Sequence, residues 1–138
     1  VYGPWGRPDM ALFTFANKIV AGEPIDVYNY GNMKRDFTYV DDIVQGIFGL
    51  LEQIPKGDEI FNIGYGKQVG LMEFITEIEK NLGRIAEKNM LPMHPADSKE
   101  TWSDTSKLYN LTGYNPKTSV VDGVKEFIDW YKSYYRIN

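Results

Sequence analysis

The sequence predicts an α/β chain of α+β character, a small and mainly helical lobe with a few short strands. Four longer segments place apolar residues at helical spacing, and the β-prone stretches between them are only a few residues long. The two kinds of element do not follow the regular βαβ rhythm of a complete doubly wound domain. That pattern fits a lobe attached to a larger sheet, with residues 1–138 as one domain.

Each element has its own signal. Gly3 to Asp9 carries Pro4, Gly6 and Pro8 and reads as a loop. Leu12, Phe15, Ala16 and Ile19 repeat at i, i+3, i+4 and i+7, a helix that the Ala21-Gly22 step ends. Ile25 to Tyr28 alternates as a strand, Asn29 to Lys34 is a polar turn, and Asp36 to Tyr39 is a second extended piece. Val40 opens the next helix, with Asp41 and Asp42 in its first turn where carboxylates favour the dipole. Its apolar face is Val40, Ile43, Val44, Ile47, Phe48 and Leu51. Pro55 to Asp58 breaks the chain, and Glu59 to Ile63 reads as another strand before a loop with Gly64, Gly66 and Gly70. Leu71, Phe74, Ile75, Ile78 and Leu82 make a third amphipathic helix. Ala86 to Leu91 is a candidate edge strand, Pro92 to Asp104 is irregular, and a short helix covers 105–112. Ser119 caps the last helix, whose inner face is Val120, Val124, Phe127, Ile128 and Tyr131.

Composition narrows the function classes. With 43% hydrophobic and 25% charged residues the chain has enough apolar surface for a core and is not a disordered segment. A net charge of −4 weighs against nucleic acid, whose binders carry a basic face. The absence of cysteine excludes disulfides and thiolate chemistry and allows a cytoplasmic location. No apolar run approaches the roughly 18 residues of a membrane span, so no membrane partner is expected, nor is a signal peptide expected. The chain starts at Val1 without an initiator Met, as a piece beginning inside a larger protein would; a processed mature protein is the alternative.

Chemistry in isolation is not expected. Gly64-Tyr65-Gly66 with Gly70 lacks the third glycine of a pyrophosphate-seating turn and reads as a plain strand-to-helix turn. His94 is the single histidine, too little for a zinc site or a nucleophile–base triad. No Tyr-x-x-x-Lys pair falls on a helix.

Three segments stand apart: Val1-Tyr2-Gly3-Pro4-Trp5-Gly6-Arg7-Pro8-Asp9-Met10; Tyr28-Asn29-Tyr30-Gly31 with Lys34-Arg35-Asp36-Phe37-Thr38-Tyr39-Val40-Asp41-Asp42; and Pro92-Met93-His94-Pro95-Ala96-Asp97, then Thr101 and Ser103-Asp104. With these the chain resembles the extended short-chain dehydrogenase/reductases that act on nucleotide sugars. Trp5 to Met10 and Val27 to Arg35 are similar to bacterial UDP-glucuronate 4-epimerases of surface-polysaccharide synthesis. The resemblance implies the carboxyl-terminal UDP-sugar-binding region of such an enzyme, with the Rossmann half and its NAD upstream of Val1. In the intact family a tyrosinate, assisted by a lysine, takes the C4 hydroxyl proton while NAD⁺ takes the hydride. The 4-keto sugar then turns and is reduced on its other face. This chain alone is expected to be inactive. A 4,6-dehydratase or a decarboxylase shares most of these motifs, and a stand-alone binding module is the rival from another class.

The resemblance also implies site residues. Arg35 would pair with the diphosphate, the alternative being a structural pair with Asp41 or Asp42. Tyr28 would stack on the uracil, or be an ordinary strand aromatic. Asp97, in Pro-Ala-Asp where relatives have Pro-Gly-Asp, would accept from the ribose hydroxyls, or cap a turn. His94 stands where relatives carry arginine or glutamine and offers one donor, a weak phosphate ligand. Arg7 would answer the glucuronate carboxylate, or be a solvent-exposed loop arginine. Met10 would line the base or sugar pocket, or pack in the core. Tyr2 and Pro4 would lie near the nicotinamide, and without the cofactor half they are expected to be a frayed end. A lobe without its larger neighbour exposes apolar surface, so a homodimer or self-association is expected.

Overall fold

The structure, a computed structural model, describes residues 1–53 and 57–137. Helix α1 spans Ala11–Ala21 and stops where Gly22 turns to φ 73°, a left-handed conformation that costs glycine no Cβ clash. Strand β1 (Ile25–Val27) runs into a 3-10 turn over Tyr28–Gly31. There follow β2 (Lys34–Arg35), α2 (Val40–Gln53), β3 (Val69–Gly70), α3 (Leu71–Leu82), β4 (Lys88–Met90), α4 (Ser106–Thr112) and α5 (Val120–Tyr135). The described residues are thus mainly helical with a few short strands, as the patterning predicts.

Helices α1, α3 and α5 close on β1 to form the core. Phe74, Ile75 and Ile78 of α3 meet Val124, Phe127 and Ile128 of α5, and all six are essentially inaccessible. Each such side chain contributes about 1.5–3 kcal/mol by leaving water. β1 pairs in parallel with β4, Ile25 against Lys88 through Val27 against Met90, so the candidate strand at Ala86–Leu91 is real but shorter. Ser119 caps α5 as expected, its hydroxyl accepting from the Asp122 amide at 3.1 Å.

Four expectations are corrected. The face of α2 carrying Val44, Ile47, Phe48 and Leu51 is exposed, Leu51 by 62%. The buried residues of α2 are Asp42 and Gly46 instead. Asp42 stands in the first turn as expected, but buried, and its carboxylate also accepts from the Tyr114 hydroxyl and from the amides of Lys117 and Thr118. Gly46 is small enough to admit Ile63, whose methyl would lie 2.7 Å from an added Cβ. Second, Glu59–Ile63 forms no strand and Ile60 is 86% exposed, because an extended segment with no adjacent strand has no ladder to join. Third, the ladder in the second motif lies at Lys34–Arg35, paired antiparallel with Val69–Gly70, rather than at Asp36–Tyr39. The side chains of Asp36 and Thr38 tie that stretch to other loops, and only Tyr39 bridges, to Tyr2. Fourth, the amino end is not frayed. Tyr2 is buried, its amide donates to the Thr38 carbonyl at 2.9 Å, and its carbonyl accepts from Val40 at 2.9 Å. The chain break expected at Pro55 lies partly outside the described residues.

Candidate functional site

One cleft of about 370 Å³ collects residues from all three motif segments. Its floor is apolar, built from Phe13, Phe15, Met33, Phe37, Leu71 and Phe74, with Phe37 and Phe74 stacked at 3.9 Å between centroids. Its rim is charged: Arg7, Asp26, Arg35, Asp36 and Asp97.

The backbone explains the meeting. The Lys34 amide donates to the Lys99 carbonyl at 3.0 Å, and Thr101 returns a bond to Lys34 at 3.2 Å. The third segment therefore runs beside β2, and Asp97 faces Arg35 across that seam. Arg35 Nη2 donates to Asp97 Oδ1 at 2.9 Å, while Nη1 donates to the carbonyls of Lys34 and Lys99. Of the five guanidinium N–H groups, three are so engaged and two have no partner among the described residues. The alternative pairing with Asp41 or Asp42 does not occur; the carboxylate partner is Asp97. Asp97 likewise does not cap a turn with its side chain, although its amide closes the turn onto the His94 carbonyl at 3.0 Å.

Arg7 lies at the rim, largely exposed, and its guanidinium holds the neighbouring Asp9 carboxylate. Met10 immediately precedes α1, is 46% exposed and lines the cleft, so it is not a core residue. Tyr28 lines the cleft with its ring edge-on to His94 at 6.5 Å. His94 itself is exposed and is not among the lining residues; its Nδ1 accepts from the Ala96 amide at 3.2 Å. Tyr2 contributes to the wall from its buried position, and Pro4 does not line the cleft. Burial pushes the Tyr2 phenol well above its ordinary range, and the hydroxyl has no hydrogen-bond partner among the described residues.

Reading the sequence missed Asp36, which organises the site. Its carboxylate accepts from the Thr38 hydroxyl, the amides of Tyr65, Gly66 and Ser103, and the Ser103 hydroxyl, at 2.6–3.0 Å. Burial alone would raise its pKa, but the Ser103 bonds, with those from Thr38 and Gly66, outweigh it and hold the carboxyl below the ordinary 3.8. Asp36 stands within the second motif segment, but the loop amides that meet it lie 29 to 67 residues away, so only the fold reveals what it holds.

The same geometry tests whether these residues could seat NAD. The amides at Tyr65 and Gly66, the nearest thing to a pyrophosphate nest, are already taken by Asp36, and an added Cβ on Gly64 would meet the Ser103 hydroxyl at 2.0 Å. The glycine pair is therefore a turn, as read from the sequence, and the dinucleotide does not fit there. The one Tyr-x-x-x-Lys spacing, Tyr30 to Lys34, falls on a 3-10 turn and a strand.

Comparison with known proteins identifies the setting. The NAD dependent epimerase/dehydratase family matches residues 1–64. Protein CapI of Staphylococcus aureus is 44% identical over 99% of this chain and 46% of its own length. A probable UDP-glucuronate 4-epimerase of Rhizobium meliloti is 43% identical over 99% of this chain and 45% of its own. The crystal structure of UDP-glucuronic acid 4-epimerase from Bacillus cereus, in complex with UDP-glucuronic acid and NAD, superposes with a TM-score of 0.89 at 36% identity. It covers 97% of this chain and 43% of the other. The chain therefore resembles the carboxyl-terminal, mainly helical part of enzymes of the NAD dependent epimerase/dehydratase family. It is similar over nearly its whole length to UDP-glucuronate 4-epimerases, and it spans just under half the length of these relatives.

Proposed function

We propose that residues 1–138 form the UDP-sugar-binding domain of an NAD-dependent epimerase that interconverts UDP-glucuronate and UDP-galacturonate at C4. The observation that carries this reading is the convergence of Arg7, Met10, Tyr28, Arg35 and Asp97 on one cleft. Arg35 takes the diphosphate with its two free N–H groups, Tyr28 meets the uracil, and Asp97 takes the ribose hydroxyls. Arg7 exchanges Asp9 for the sugar carboxylate. The chain's task is to hold UDP at a distance from C4, so that binding energy positions a hexose free to turn. NAD and the tyrosine–lysine pair belong with the half of the relatives that this chain does not span. Among the described residues no helix is long and apolar enough to cross a membrane, in keeping with a cytoplasmic site of action.

Titration calorimetry of UDP-glucuronate and UDP-glucose into the chain tests the reading. Because Arg7 gives up Asp9 to meet the sugar carboxylate, UDP-glucuronate is expected to bind more tightly than UDP-glucose, and Arg7→Gln to abolish that preference. Equal affinities in the wild type would overturn the carboxylate assignment. The chain alone is expected to convert no UDP-glucuronate when supplied with NAD⁺; measured turnover would refute the division of labour.

A further inference from the structure

The loop that carries Arg7 is held by a residue on its other side. Trp5 sits at φ 61°, a left-handed conformation that bulky side chains avoid. Gly6, which follows it, does not take the left-handed conformation in its place. The indole stands edge-on against two rings of α5, Trp130 at 5.1 Å and Tyr134 at 5.0 Å. Those two stack on each other at 5.3 Å, and Trp130 also meets Phe13 of α1 at 5.8 Å. Trp5 is 72% exposed, so little apolar burial accounts for its place; the ring-to-ring geometry does.

The turn below it is shaped for the same end. Gly6 donates to the Gly3 carbonyl at 3.4 Å, and Met10 donates to the Arg7 carbonyl at 3.2 Å. An added Cβ on Gly6 would lie 3.3 Å from the Phe13 ring, so the turn rests directly on the core. Gly6, Arg7 and Met10 face the cleft, while Trp5 does not line it and faces α5. One short loop thus has a ligand side and an anchor side.

We propose that Trp5 is a positioning residue: its strained backbone and its seat on Trp130 and Tyr134 clamp the Gly3–Met10 loop so that Arg7 and Met10 stay at the cleft rim. The proposal rests on the assignment of Arg7 to the sugar carboxylate. Through the clamp, α5 takes part in discriminating a C6 carboxylate from a C6 hydroxymethyl group without touching the ligand.

Two measurements on the full 138-residue chain test it. The first is ligand-free: amide order parameters of Gly6 and Arg7, expected near 0.85 in the wild type and below about 0.6 in Trp5→Ala and Trp130→Ala. Trp5→Phe restores them. Trp5→Gly, relaxed at positive φ but without a ring, does not. A loop as ordered in Trp5→Ala or Trp5→Gly as in the wild type overturns the proposal. The second is the affinity ratio of UDP-glucuronate to UDP-glucose. Trp5→Ala is expected to reduce it about tenfold, the factor that two aromatic contacts account for, with UDP affinity changed less than twofold and Trp5→Phe close to wild type. A ratio lost in Arg7→Gln but intact in Trp5→Ala overturns the clamp and leaves the carboxylate reading standing. A ratio intact in Arg7→Gln, or no binding of either ligand, overturns the carboxylate reading and the proposal with it.

Discussion

Replacing Asp36 by asparagine should cost more than any other single-atom change near the cleft. The carboxylate accepts five bonds, three of them at Oδ2: from Gly66 N at 3.0 Å, Ser103 N at 3.0 Å and Ser103 Oγ at 2.6 Å. An amide nitrogen at that place presents hydrogens to two backbone N–H donors that make no other hydrogen bond among the described residues. Bonds to a charged group are worth about 1.5–3 kcal/mol each, and water reaches this half-buried site and recovers part of the loss. A net destabilisation of about 3 kcal/mol follows, or a shift of about 2 M in the urea midpoint at an m-value near 1.5 kcal/mol per M. The Asp36 carboxyl titrates below 3.8 in the folded chain, so its contribution is complete above that value and disappears as pH falls through the folded pKa. The gap between wild type and Asp36→Asn should accordingly be constant from pH 7 to about 5 and close at lower pH. Equilibrium urea unfolding followed by far-UV circular dichroism, repeated across that range, measures both. A loss under about 1 kcal/mol at pH 7, or a gap that widens in acid, would refute the claim that this carboxylate staples the three loops.

Other consequences are direct. Asp97→Asn releases Arg35 while weakening the ribose contact, so inorganic pyrophosphate should bind about tenfold tighter and uridine more weakly; both affinities moving the same way would contradict the dual role. Gly123→Ala places a methyl 2.1 Å from the Tyr2 hydroxyl and should destabilise by about 1–3 kcal/mol in thermal unfolding. Tyr2→Phe removes that hydroxyl, which has no partner among the described residues, and should recover part of the loss; strictly additive effects would count against direct contact. The exposed α2 face carrying Ile47 and Phe48 should drive association of the chain with itself, and Phe48→Lys should shift it toward monomer in light scattering with less than 0.5 kcal/mol change in stability. A wild-type chain that scatters as a monomer at high concentration would remove that expectation.

Much of this molecule was legible before any fold was known. Helices α1, α3 and α5 announce themselves because their apolar residues recur every third or fourth position and all face one core, a property of the local sequence. The three motif segments could likewise be read, since residue type and order carry them. What periodicity cannot report is which apolar face finds a partner. The stripe on α2 is as regular as that on α3, yet Phe48 is exposed and Phe74 is buried, because burial depends on what lies opposite. The same holds for the site. Arg35 and Asp97 are 62 residues apart, and only the β2 seam brings them within 2.9 Å. Asp36 looked like one letter of a motif until the fold carried Tyr65, Gly66 and Ser103 to it. Sequence alone determined the helices and the family resemblance, and it singled out most of the polar residues that line the cleft, though not the part that Asp36 plays. The tertiary structure decided which of them meet, because hydrogen bonds and ion pairs act over a few ångströms, and distance along the chain says nothing about that.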